Sequence, residues 1–99
     1  MNISVTELKE MLSSGKQLKI IDVRGELEYH TFNVGGKNIP LGRLPSSLDE
    51  LSINKEDELI VICQHGIRST TAQKILQASG FLNVRNLEGG LVALRKVSS

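Results

Sequence analysis

The sequence predicts an α/β fold built on a mostly parallel sheet, and three observations carry that prediction. Segments with strand character alternate along the chain with segments of helical periodicity. The run Glu58-Leu59-Ile60-Val61-Ile62-Cys63 is continuously apolar after its first residue, as expected of a strand buried on both faces of a parallel sheet. Glycines punctuate the alternation at Gly15, Gly25, Gly35-Gly36, Gly66, Gly80 and Gly89-Gly90.

The elements follow in order. Ser4 with Glu7 three residues on is a capping-box pattern. Val5, Leu8, Met11 and Leu12 then fall at helical spacing, so an amphipathic helix is expected over residues 5–14, stopped by Gly15. Residues 18–23 are rich in β-branched side chains and read as a strand. Gly25 opens a turn, residues 26–30 are expected to form one helical turn, and Gly35-Gly36 breaks the chain again. Asn38 to Leu41 is extended, because the residue before Pro40 is pushed out of the α region. Residues 45–51 look helical, with Pro45 suited to a first turn. After the strand at 58–63, residues 64–68 read as a loop and 69–79 as a helix with Ala72, Ile75, Leu76 and Ser79 on its inner face. A short strand at 83–87 and a terminal helix at 91–97 complete the order, and Val97-Ser98-Ser99 are expected to fray.

Ninety-nine residues suit one domain, 1–99, with one modest core. Apolar residues make up 39% and charged residues 23%, which argues against disorder. The net charge of +1 offers no global field for nucleic acid or an anionic membrane. Three aromatics, Tyr29, Phe32 and Phe81, are too few for a base-stacking platform. No apolar run is long enough to span a bilayer. Met1 to Glu7 lacks a basic stretch followed by an apolar one, so it is read as structure rather than as a signal peptide. The single cysteine permits no internal disulfide and suits a reducing compartment, which favours a cytoplasmic location. With only His30 and His65 beside it, no metal site is expected, and neither glycine pair has dinucleotide-binding spacing. No cofactor is implied. The run Lys55-Glu56-Asp57-Glu58 is read as a solvated loop.

The informative stretch is Cys63-Gln64-His65-Gly66-Ile67-Arg68-Ser69, where a cysteine closes a buried strand, a glycine-centred loop follows and a helix begins. Amides at a helix start have no intrahelical partner. A loop curled around Cys63 would aim its own amides at the sulfur as well, as in an anion-binding nest. The helix dipole and the permanently charged Arg68 add positive potential. All of these favour thiolate over thiol and make the sulfur a nucleophile; a persulfide anion would be stabilised by the same donors. Gly66 permits positive φ and close backbone approach. The blander reading is a small buried hydrophobe with no chemistry; the strand, loop and helix grammar with its arginine argues against it. His65 and His30 are read as exposed residues.

These residues resemble the active-site loop of rhodanese domains. The resemblance extends along nearly the whole chain: Ile21-Asp22-Val23-Arg24 with Glu28-Tyr29, then Gly35 with Asn38-Ile39-Pro40-Leu41, then Gly80-Phe81 with Asn83-Val84, and Leu87-Glu88-Gly89-Gly90. It implies a central, mostly parallel sheet of about five strands with helices on both faces. It also implies a sulfurtransferase in which Cys63 attacks a sulfane sulfur, carries it as a persulfide and yields it to a thiophilic acceptor. Carried over by position, residues Gln64, His65, Gly66, Ile67 and Arg68 form the substrate cradle. Arg68 is suited to holding an anionic donor such as thiosulfate, and Asp22, Arg24 and Ser69 are supports. The blander reading of Asp22 and Arg24 is a solvated ion pairing with Glu26 or Glu28.

Phe32 stands where the family often has histidine, and Leu94 where tryptophan is common; both positions read as structural. Gln64 replaces a basic residue frequent in thiosulfate-using enzymes, which argues against thiosulfate as the physiological donor and leaves a persulfide-bearing protein as the other donor. The stretch Asn38 to Pro45 is similar to the sulfur-transfer domains of adenylyltransferases in molybdopterin and thiamine biosynthesis, which implies a small sulfur-carrier protein as acceptor. Two rivals remain. A cysteine phosphatase needs five residues between cysteine and arginine; here Arg68 comes one residue too early, and Ile62 replaces the histidine usual before that cysteine. A non-catalytic rhodanese-like binding module would have no use for Cys63.

Overall fold

The computed structural model describes residues 2–98. Four strands, β1 (Ile20–Asp22), β2 (Lys37–Asn38), β3 (Glu58–Ile62) and β4 (Asn83–Asn86), form one sheet in the order β2-β1-β3-β4, and every neighbouring pair is parallel. The family resemblance implied about five strands. The difference lies at the β4 edge, where the chain before the first helix pairs through a single bridge: the Ile3 amide donates to the Asn86 carbonyl at 3.0 Å and the Glu88 amide to the Ile3 carbonyl at 2.9 Å. Helix α1 begins at Val5, which cuts that strand to one residue.

Parallel strands need crossovers, and these place helices on both faces. Side chains of β3 alternate accordingly. Leu59 and Val61, with Cys63 beyond them, join a cluster containing Leu44 of α3 (Leu44–Ser47) and Ala72 and Leu76 of α4 (Ile67–Ala78). Ile60 and Ile62 join Leu8 of α1 (Val5–Ser13) with Leu91 and Leu94 of α5 (Gly90–Ser98). Burying each such side chain contributes roughly 1.5–3 kcal/mol. Leu94 and Phe32 belong to this second layer, which agrees with reading both as structural. Helix α2 (Glu26–Thr31) buries no residue and lies outside the layers.

Several local expectations are corrected. Residues 45–51 are not one helix: α3 is flanked by 3₁₀ turns at Leu41–Arg43 and Leu48–Glu50. The hydroxyls of Ser46 and Ser47 both donate to the Arg43 carbonyl, at 3.0 and 2.8 Å, and such side-chain bonds compete with the helical ladder. The capping box at α1 is half formed. Ser4 Oγ accepts from the Glu7 amide at 3.1 Å, but the Glu7 carboxylate turns instead to Arg85 at 2.9 Å. Helix α4 starts at Ile67 rather than at Ser69, because Gly66, at φ +91°, makes the turn out of the loop. Val97 and Ser98, expected to fray, are the last residues of α5; the same expectation for Ser99 lies outside the described residues. Among the described residues, no helix is long and apolar enough to cross a membrane.

Candidate active site

The site forms at the carboxyl end of β3, where ligands of parallel sheets are bound. Cys63 follows the last residue of that strand. Three residues later the positive φ of Gly66 folds the chain back, so that the Gly66 amide donates to Cys63 Sγ at 3.0 Å. Ser69, the third residue of α4, donates its amide to the same sulfur at 3.3 Å. That amide is one of the orphan donors of a helix start, and the dipole of the 12-residue helix adds to it. Ser69 Oγ lies 3.2 Å from Sγ. The sulfur is therefore surrounded by two N–H groups and one hydroxyl, a setting that suits an anion.

Three neighbouring elements hold this loop. The first is the start of α5, whose Leu91 and Val92 amides donate to the carbonyls of Cys63 and Gln64 at 3.0 and 3.1 Å. This approach needs a glycine: a Cβ on Gly90 would stand 2.4 Å from the Gln64 carbonyl oxygen and 2.7 Å from that of Cys63. The double glycine, which looks like turn punctuation in sequence, is thus in part a close-approach device. The second element is the end of β1. Arg24, only 3% exposed, grips the buried Asp22 through Nε and Nη2 at 3.0 and 2.8 Å. It also donates to the Phe32 carbonyl at 2.6 Å and, through Nη1, to Gln64 Oε1 at 3.4 Å. The blander expectation of pairing with Glu26 or Glu28 is corrected: Asp22 and Arg24 pair with each other, and Glu26 pairs with Arg43.

The third element is α2. Glu28 accepts from Arg68 Nη1 and Nη2 at 2.8 and 3.0 Å and from the Gly25 amide at 3.1 Å. The Arg68 hydrogen bonds hold its carboxyl down at about 2 against the opposing effect of burial; the Gly25 amide and the charges of Arg68 and Arg24 add to the shift. Arg68 is raised in turn, first by its bonds to Glu28 and then by the charges of Glu28, Cys63 and Asp22.

The candidate residues therefore divide. Gly66 and Ser69 touch the sulfur, and Gln64 faces Arg24. Arg68 is committed to Glu28, and His65 and Ile67 are exposed, Ile67 at 76%. Cys63 itself is 1% exposed. A cleft of about 290 Å³ lies beside Gln64, with Arg24, Leu27, Phe32 and Arg95 among its lining, and Arg95 sits 4.4 Å over the Phe32 ring. Two roles escaped sequence reasoning, those of Glu28 and Asn86. Glu28 lies 40 positions before its partner Arg68, and no local pattern links them. Asn86, buried on β4, accepts a hydrogen bond from Ser69 Oγ and donates to the Gly66 carbonyl at 3.1 Å. No local signal marks Asn86, since Asn83 and Arg85 make the same short strand polar.

Fold and site together define a parallel α/β protein with a single thiol wrapped by the start of a helix. The chain belongs to the rhodanese-like domain family, whose family model matches residues 4–96. YtwF of Bacillus subtilis, named as a sulfurtransferase, is 35% identical over 92 residues, covering 92% of this chain and 86% of that protein. YrkF of the same organism, named as a sulfur carrier protein, is 36% identical over 90 residues, which are 90% of this chain and 48% of YrkF. This chain thus spans about half the length of YrkF, and 24% of the adenylyltransferase/sulfurtransferase MoeZ of Mycobacterium tuberculosis. Among solved structures, the human single-domain sulfurtransferase TSTD1 superposes with a TM-score of 0.84 at 28% identity, covering 99% of this chain and 97% of that one.

Proposed function

We propose that this chain, as one domain, is a sulfurtransferase that forms a persulfide on Cys63. The observation that carries the reading is the set of polar groups around Sγ at the start of α4: the Gly66 and Ser69 amides, which donate to it, and the Ser69 hydroxyl, all within 3.3 Å. In the first step the Cys63 thiolate attacks the sulfane sulfur of a donor. A new S–S bond forms and the bond to the rest of the donor breaks. The leaving group departs with the electron pair, as sulfite from thiosulfate or as a thiolate from a protein persulfide. In the second step an acceptor nucleophile attacks the outer sulfur, and the electron pair of the S–S bond returns to Cys63 as thiolate. These 99 residues hold no second cysteine, so the acceptor lies outside this domain; a sulfur-carrier protein fits that role. A thiol that must stay reduced between turnovers fits a cytoplasmic setting.

Roles follow from placement. Gly66 and Ser69 stabilise the anionic sulfur, Asp22 and Arg24 brace the loop through Gln64, and Arg68 provides the positive field near an incoming anionic donor. His65 and Ile67 are presented to that donor or to the protein carrying it. The rival reading, a binding module with an idle thiol, draws on one observation, the burial of Cys63. Thiocyanate formation from thiosulfate and cyanide separates the two. The wild-type chain is expected to be active and Cys63→Ser inactive with an unchanged circular dichroism spectrum. Full activity in the variant overturns the proposal.

A further inference from the structure

The polar groups behind the sulfur have a fixed direction. Gly66 presents a carbonyl oxygen, which only accepts, and Asn86 Nδ2 faces it at 3.1 Å while also donating to Thr70 Oγ1 at 2.8 Å. The Thr70 hydroxyl donates to the same Gly66 carbonyl at 2.7 Å. The Asn86 amide group is thereby oriented, and its Oδ1, an acceptor alone, faces Ser69 Oγ. The single Ser69 proton must point at Asn86. What Ser69 then turns towards Cys63 Sγ, 3.2 Å away, is a lone pair. In this arrangement a Cys63 thiol would donate to Ser69, and the chain of bonds would run from Cys63 S–H to Ser69 O–H to Asn86 Oδ1.

We propose that Asn86 is a positioning residue that sets the direction of the Ser69 hydroxyl, and so decides whether the Cys63 sulfur meets a lone pair or a proton. Ionisation releases the sulfur's proton to solvent. The Ser69 hydroxyl then rotates, breaks its bond to Asn86 Oδ1 and donates to the anionic sulfur. A persulfide anion calls for the same rotation. Asn86 thus competes with the sulfur for the Ser69 proton. The inference deepens the sulfurtransferase reading and rests on Cys63 being its reacting residue.

The charged and titratable groups on the surrounding elements are Asp22 and Arg24 after β1, Glu28 on α2, His65 and Arg68 on the loop and α4, and Glu88 and Arg95 around the start of α5. Asp22 pairs with Arg24, Glu28 with Arg68, and Arg95 rests on Phe32. None of these bonds includes Ser69 or Asn86, so the test leaves them in place.

The test is a double-mutant cycle read by the ultraviolet absorbance of the Cys63 thiolate against pH. Asn86→Ala is expected to lower the thiolate midpoint by about one pH unit, because Ser69 is then free to donate to the anion. In a Ser69→Ala background the same change is expected to do nothing. A midpoint that stays or rises in Asn86→Ala, or an equal shift without Ser69, overturns the inference. The wild-type chain supplies a second readout should Asn86→Ala fail to fold. Its infrared S–H band at low pH is expected at a hydrogen-bonded frequency that is lost in Ser69→Ala, and a free S–H band in the wild type overturns the inference too. Neither readout uses persulfide loading, so a chain that passes both yet never takes up sulfur sinks the functional reading alone.

Discussion

Arg68 and Glu28 meet in a two-pronged ion pair, Nη1 to Oε1 at 2.8 Å and Nη2 to Oε2 at 3.0 Å, that ties the start of α4 to α2. Each side chain is 41% exposed, so the pair orients the arginine more than it stabilises the fold. Exposed pairs of this kind contribute roughly 0–1 kcal/mol. The pH dependence has a definite sign. Glu28 is held at about 2 in the folded protein against an ordinary 4.5, so its contribution is fully present above 4.5 and is lost as pH falls through 2. Urea midpoints of wild type and Glu28→Gln should differ slightly at neutral pH and converge by the acid end of that window. A gap that widens towards acid contradicts the assignment.

Arg68→Ala is expected to slow sulfur uptake from anionic donors more than from neutral ones, because the guanidinium is the permanent cation at the loop. Initial rates with thiosulfate and with an uncharged persulfide donor check this. Equal losses would mean that Arg68 only braces the loop through Glu28.

Asp22 and Arg24 are a different kind of pair. Both are buried, and removing one partner strands a charge away from water. Arg24→Ala is expected to cost about 3–5 kcal/mol in denaturant unfolding. Arg24→Lys should recover little, because an ammonium cannot make the forked contacts to Asp22 and the bond to the Phe32 carbonyl together. A loss below about 1 kcal/mol in Arg24→Ala would contradict the pairing's role.

Gly15 and Gly90 both have positive φ, at +78° and +66°, but only Gly90 has backbone where a Cβ would go. Alanine at Gly15 should cost about 1 kcal/mol, the strain alone. Alanine at Gly90 should cost more and also reduce sulfur transfer, since α5 can no longer reach the carbonyls of Cys63 and Gln64. Unfolding midpoints and turnover measured side by side decide this; equal stability losses would show that the close approach has no consequence.

Cys63 is 1% exposed, so reagents must enter as the loop breathes. Iodoacetamide is expected to label the native chain faster than a bulky maleimide, relative to their rates on a free peptide thiol, by on the order of tenfold. Labelling without size discrimination contradicts the buried geometry. No native labelling by either reagent favours the idle thiol of a binding module.

Much of this was legible in local pattern. The apolar run of β3 announced a strand covered on both faces, and the cysteine, glycine and arginine after it marked the loop. What was not legible depends on pairings far apart in the chain. Glu28 finds Arg68, Asn86 finds Ser69, and Gly90 finds Gln64, each through the packing of separate elements. The start of α4 was misplaced for a related reason. Side-chain preference favours Ser69 as a cap, whereas the chain turns at Gly66 and uses Ser69 within the first turn of the helix, where its amide meets the sulfur. The split of α3 reflects two serines bonding back to Arg43, a competition that helical spacing does not reveal.

Intact-protein mass spectrometry after incubation with thiosulfate or a persulfidated protein, followed by peptide mapping, addresses the central claim most directly. One added sulfur atom per chain is expected, located on Cys63, removed by cyanide and absent from Cys63→Ser. A wild-type chain that gains no sulfur from either donor, or a Cys63→Ser chain that gains as much as the wild type, would contradict it.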